Sequence, residues 1–227
     1  MKQQSEFSEM AGVFQETLLS WFTINRRDFP WRRLERTPYD VLIAEIMLKR
    51  TTTKKVMTVY ERFISRFPDV SSLAHSQVDQ IAEVIAEIGL RTQRTQTLKT
   101  LASRLCQEHG CMVPNKKGEL MKLPCVGEYT ANAVLCFGFG MKLPIIDSNV
   151  SRLVSRYFYG MEDKFKAEIK ESWETMEKLL PDERYLEFNY ALLDFASLVC
   201  KPKGAKHDLC PLRDTCSYVK QAIAPTK

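Results

Sequence analysis

Between residues 8 and 24 the apolar positions Met10, Val13, Phe14, Leu18, Trp21 and Phe22 recur at helical spacing, with polar residues between them. That is the stripe of a helix with one buried face. The FPWR turn at Phe29–Arg32 ends it, because Pro30 steers the residue before it away from helical angles. Thr37-Pro38 opens the next helix, with Pro38 at its first position. That helix carries Val41, Leu42, Glu45, Ile46 and Leu48, and a third runs from Thr53 to Phe67, closed by Pro68. The same periodicity predicts helices over 76–87, 91–109, 116–122, 129–138, 148–159, 164–179 and 183–199. Strand signals are almost absent: the chain has no alternating β-branched run and no Asn-Gly or Asp-Gly hairpin. It reads as all-α.

Three places in this pattern carry chemistry. The stretch GELMKLPCVGEYTANAVLCFG, residues 118–138, is two short helices around a tight turn. Pro124 stops the first helix, and Gly127 is expected to supply a backbone conformation that other residues disfavour. Glu128 to Phe137 restarts a helix with Ala131, Val134 and Leu135 inward. A helix start of this kind offers N–H groups and a positive dipole end to a phosphate. On geometry alone an ordinary αα-corner is the better reading. Asp147 precedes the helix whose apolar face is Val150, Leu153, Val154, Tyr157 and Phe158, and by position it is a cap. Glu45 lies among Ile43, Ala44, Ile46 and Met47, and spacing alone puts it on the wet face of a buried helix.

Composition narrows the class. The chain has 227 residues, 27% charged and 44% hydrophobic, enough for one large or two modest domains of a soluble protein. No apolar run reaches membrane-spanning length, and MKQQSEFSEM lacks the apolar core of a signal peptide. A cytoplasmic protein with no membrane partner is expected. Seven cysteines are an odd number, which favours metal binding or free thiols over a disulfide framework. The net charge of +5 suits nucleic acid but decides little alone. Near the C-terminus Cys200, His207, Cys210 and Cys216 follow a C-x6-H-x2-C-x5-C spacing among Lys201, Lys203, Lys206 and Arg213. Three thiols and one imidazole suit structural zinc or an iron–sulfur cluster. Buried thiols near a surface histidine are the third reading.

Taken together, LPxVGxxTA at the turn, Asp147-Ser148-Asn149-Val150-Ser151-Arg152, the N-x-R-x-FPWR start, the TPY segment running into EIMLKRTTTKKV, and EIGLRTQR at 87–94 carry a resemblance. Over roughly residues 20–220 the chain resembles the endonuclease III (HhH-GPD) superfamily of helix-hairpin-helix DNA glycosylases, and within it the thymine/uracil glycosylases of T·G mismatches. One departure is Cys125, where the family usually has glycine.

The resemblance implies a two-lobed all-α fold, with one helical domain over 30–143 containing the hairpin. The other joins 1–29 to 144–227 and ends in a cluster loop. It implies that Asp147 is the catalytic carboxylate, whose charge would stabilise an oxocarbenium-like transition state. Glu45 would lie in the base pocket, assisting departure of the base or activating water. Tyr129 stands where strand-cutting members carry a Schiff-base lysine and adenine-removing members usually carry serine. A monofunctional enzyme is therefore expected, with lyase activity weak or absent. Val126, Gly127 and Thr130 of the hairpin would grip DNA. Arg50 would enter the vacated stack, and Gln93 would meet DNA or the orphaned guanine. Cys200, His207, Cys210 and Cys216 would hold a [4Fe–4S] cluster, the histidine replacing the second cysteine of the family loop; zinc or no metal are the alternatives.

The expected function is hydrolysis of the N-glycosidic bond of T or U opposite G, in base excision repair, by a monomer acting on double-stranded DNA. The alternatives are adenine removal from A·G or A·8-oxoguanine pairs, and a non-catalytic iron–sulfur DNA-binding protein. Tyr129 and a chain end at 227, short of the domain with which adenine-specific members recognise oxidised guanine, weigh against the first. The presence of both Glu45 and Asp147 weighs against the second.

Overall fold

In the computed structural model, residues 2–162, 164–166 and 169–223 are described, and every regular element among them is helical. No described helix is long and apolar enough to cross a membrane. The chain divides into two units, 28–141 and 1–27 together with 142–227.

The 28–141 unit is built around helix α2, Pro38–Leu48 (α1, Lys2–Asn25, belongs to the other unit). Thr37 caps α2: its Oγ1 accepts from the Asp40 N–H, while the Asp40 carboxylate accepts from the Thr37 N–H at 2.8 Å. From Tyr39 to Met47 every residue of α2 is buried. Helix α3, Thr53–Arg66, buries Val56, Val59, Tyr60 and Phe63 along one face. The short helices α4, Val70–His75, and α5, Val78–Val84, pack on the long helix α6, Arg91–His109. Helices α7, Lys117–Leu120, and α8, Glu128–Ala133, make the hairpin, and α8 continues as a π-turn over Val134–Gly138. Gly138 is required there: a Cβ on it would lie 2.7 Å from the Pro38 Cα. The start of α2 and the end of the hairpin therefore meet backbone to backbone.

In the second unit α1 packs on α11, Tyr185–Leu198, and α11 on α9, Ser148–Val154. Phe14 sits 4.6 Å from Tyr157 and Trp21 5.0 Å from Phe195, measured between ring centroids. The Asp194 side chain is wholly buried, and Arg27 compensates it through its main-chain N–H at 2.9 Å and its guanidinium at 2.7 Å. Helix α10, Lys170–Leu179, and helix α12, Ser217–Ile223, complete the unit.

Several boundaries differ from the periodic pattern. Helix α1 begins six residues before the apolar stripe does. Helix α4 was hidden because six residues are too few to show a period; its signal is the Asp69–Ser72 cap, with Ser72 N–H to Asp69 Oδ1 at 2.7 Å. Between 164 and 169 the described residues are not helical. There the Phe165 and Lys166 N–H groups donate to the side chains of Ser155 and Ser172 instead. The cysteine count favoured metal binding or free thiols over disulfides, yet Cys106 and Cys111 are joined in a disulfide across the end of α6.

Candidate functional site

The hairpin turn corrects one expectation. The left-handed residue is Cys125, at φ +61°, while Gly127 is extended at φ −98° and ψ −175°. The conformational demand therefore falls on the residue that departs from the family pattern. Gly127 caps α8, and a Cβ there would meet no protein atom within 4 Å. Its missing side chain leaves the backbone open to close approach from outside. The Val126 and Thr130 side chains are 6% and 1% exposed and face inward. What the turn can offer is main chain, since the first N–H groups of a helix lack intrahelical acceptors. Lys49 Nζ donates to the Cys125 carbonyl and ties the turn to the end of α2. A side-chain-bearing residue in this region of φ costs about 1–2 kcal/mol. Cys125→Gly should raise stability by roughly 1 kcal/mol, read as a higher thermal midpoint; an unchanged or lower midpoint would show that the turn carries no such strain.

Glu45 corrects a second expectation. It is 8% exposed, inside a helix with no wet face between residues 39 and 47. Tyr129, the second residue of α8, is half-buried. Beside Ile46 lies a recess of about 150 Å³ lined by Lys49, Arg50, Leu90, Gln93, Arg94, Thr97 and Cys125. Arg50 and Gln93, singled out separately in sequence, thus border one space. Leu90, Arg94 and Cys125 were not foreseen there; the signal for Leu90 is that it is a large apolar side chain left 46% exposed.

In the other unit Asp147 caps α9. Its Oδ1 accepts from the N–H groups of Asn149 at 2.9 Å and Val150 at 2.7 Å, and its Oδ2 accepts from Asn149 Nδ2 at 2.8 Å. The chain of contacts continues. Arg152 Nη1 donates to Asn149 Oδ1 at 3.2 Å, Nη2 to the Ala196 carbonyl at 2.9 Å, and Nε to the Cys200 carbonyl at 3.0 Å. The carboxylate is thus fixed by three donors, and Asn149 and Arg152 link it to the main chain of the first cysteine of the C-terminal group. In the sequence Asn149 and Arg152 stand only as letters of the Asp147 motif. Their spacing from Asp147 is what sets two further links on one face of the helix start.

Cys200, His207, Cys210 and Cys216 all line one cavity, together with Arg156, Tyr157 and Tyr218. The three cysteines are free thiols and partly buried. Burial, with smaller contributions from the neighbouring cysteines, pushes Cys210 up to about 11, and burial also raises Cys216. Arg156 Nη1 donates to Cys200 Sγ at 3.5 Å, and the Cys216 thiol donates to the Arg156 carbonyl at 3.7 Å. His207 stands on a 3₁₀ turn, His207–Leu209, its ring stacked on Tyr218 at 6.3 Å. Among the described residues no group of three or more His, Cys, Asp or Glu is drawn close enough to hold one metal ion.

Residues 43–178 match the HhH-GPD superfamily of base excision DNA repair proteins. Thymine/uracil-DNA glycosylase of Methanothermobacter thermautotrophicus is 37% identical over 209 residues, covering 92% of this chain and 94% of that protein. Adenine DNA glycosylase of Buchnera aphidicola subsp. Baizongia pistaciae is 36% identical over 213 residues, 93% of this chain but 60% of its own length. The solved structure of a thermostable thymine-DNA glycosylase matches with a TM-score of 0.89 at 36% identity, over 94% of this chain and 98% of that one. With its helical fold and its hairpin, and with the match extending over more than half its length, this chain belongs to the HhH-GPD superfamily of base excision DNA repair proteins.

Proposed function

We propose that this protein is a monofunctional DNA glycosylase that removes thymine or uracil mispaired with guanine in duplex DNA by hydrolysing the N-glycosidic bond. The observation that carries the reading is Asp147, a carboxylate locked by three donors at the start of α9. A fixed negative charge needs no reorganisation when the sugar develops positive charge, and that is the main electrostatic demand of glycosidic cleavage. Glu45 acts on the base side of the bond. Buried in α2, it gives a proton or hydrogen bond to the leaving base, or orients the attacking water. Tyr129 offers a phenol and no amine, so no Schiff base forms at this position and the product is an intact abasic site.

DNA is held by the main chain around Gly127 through phosphate, which fixes register without reading sequence. The target nucleotide leaves the stack, more easily from a mispair. Arg50, at the recess, enters the vacated stack, and Gln93 beside it meets DNA or the orphaned guanine. Relatives with thymine and uracil in their names support the choice of base. The adenine-glycosylase relative is nearly as similar, and Tyr129 weighs against that substrate. The test is one set of labelled duplexes carrying T·G, U·G, A·G or A·8-oxoguanine. Excision from T·G and U·G well ahead of the adenine pairs is expected; adenine as the main product would overturn the assignment.

Three thiols and one imidazole lining one cavity support a [4Fe–4S] cluster there, which Cys200, Cys210, Cys216 and His207 would hold; when bound it would be a structural tie for the segment after α11. The purified protein, handled anaerobically, should be brown with about four irons per chain. His207→Cys should keep the iron and His207→Ala should lose iron or stability, measured by iron content and thermal midpoint. Full iron at wild-type stability in the alanine variant would remove His207 from the ligand set.

A further inference from the structure

Two side chains at the recess of the 28–141 unit sit on a backbone that disfavours them. Arg50 has φ +57° and Leu90 φ +60°. Such a conformation persists in a residue with a Cβ only where the surroundings impose it. Both residues are exposed, so their own burial does not impose it. The peptide carbonyl immediately before each of them, Lys49 O and Gly89 O, accepts from one and the same guanidinium. Arg94 Nη2 donates to Lys49 O at 2.6 Å, and Arg94 Nη1 donates to Gly89 O. Nη2 also donates to Thr51 Oγ1 at 2.9 Å, and the Arg94 main-chain N–H donates to Leu90 O at 2.8 Å.

Arg94 is 4% exposed, and its burial lowers the pKa of the guanidinium. Its acceptors are carbonyls and a hydroxyl. A buried cation gives up its hydration, and here neutral oxygens supply the compensating hydrogen bonds. What a guanidinium does that an aliphatic side chain or an ammonium cannot is hold several acceptors in one rigid fork.

We infer that Arg94 is a positioning residue, which fixes segments 49–51 and 89–90 so that Arg50 and Leu90 line the recess ready for the base stack opposite a flipped nucleotide. The clamp rests on geometry alone; the ligand rests on the glycosylase reading above. The Arg94 guanidinium is engaged by Gly89 O, Lys49 O and Thr51 Oγ1. Its loss should therefore act only through Arg50 and Leu90, and that gives the test its form.

The probe is a duplex with a tetrahydrofuran abasic analogue opposite guanine, which cannot be excised and so reports binding alone. Arg94→Gln should weaken binding about tenfold, and so should the pair Arg50→Ala with Leu90→Ala. The triple variant should be no weaker than the pair, because the clamp then has nothing left to position. Additive losses, or wild-type affinity in Arg94→Gln, overturn the inference. Arg94→Lys should bind like Arg94→Gln, and it carries the same cycle should the glutamine variant fail to fold by circular dichroism. Without DNA, amide hydrogen exchange at residues 50, 51 and 90 should quicken in the variant while α3 and the core of α6 stay protected; unchanged exchange there overturns the clamp. Wild-type protein with no preference for the abasic duplex over an intact one would instead sink the glycosylase reading, and the exchange experiment would still decide the clamp.

Discussion

Asp147→Asn should lower the single-turnover rate of thymine excision by on the order of 10³-fold or more while leaving DNA affinity close to wild type. The substitution separates two roles that one side chain fills. Asparagine is as good a helix cap as aspartate, and its carbonyl oxygen can still accept from the Asn149 and Val150 N–H groups that now meet Oδ1; only the bond from Asn149 Nδ2 to Oδ2 is lost. The start of α9 and the stability of the protein should therefore survive. What disappears is the full negative charge, needed only when the sugar becomes cationic. The loss should appear in the chemical step and not in binding. An Asp147→Asn protein with an unchanged excision rate would make Asp147 a cap and nothing more.

Glu45→Gln should slow excision by on the order of 10²-fold, again with little change in affinity for DNA. Glutamine has nearly the same size and hydrogen-bonding reach, so the buried site in α2 keeps its packing. It can neither deliver a proton to a departing base nor take one from water. The effect should be smaller than at Asp147 because a pyrimidine can leave with help from hydrogen bonds alone. Thermal unfolding measured beside the kinetics separates a chemical from a structural loss: a large fall in midpoint with a proportionate loss of binding would mean that Glu45 serves the core.

The two carboxylates also show how far the amino-acid sequence could be read. Asp147 was legible as a helix cap from its position alone, and α9 begins at the residue after it. Glu45 was misread by spacing, which assumes that a polar residue marks a wet face; in α2, buried from residue 39 to 47, no such face exists. The long helix Arg91–His109 was legible at both ends, whereas α4 and α12, one or two turns each, were too short for periodicity to act on. At the hairpin the letters identified the turn but not which residue takes the left-handed angle, because φ belongs to the closed turn and not to residue type; Cys125 has it and Gly127 does not. Contacts such as Arg94 to Lys49 and Arg152 to Cys200 join residues about 45 positions apart, and no local pattern announces them.

The central claim is hydrolytic base removal by a fixed carboxylate with no amine at the Tyr129 position. The direct measurement is a single-turnover reaction of the wild-type protein with a labelled duplex containing one T·G mispair, divided into samples with and without alkali and a third with borohydride. Hydrolysis of this kind should give strand breaks at the thymine only after alkali and no trapped protein–DNA adduct. Breaks without alkali together with efficient trapping would contradict it, because an amine would then be doing the chemistry; intact DNA in every sample would contradict it more simply, by showing that thymine is not removed.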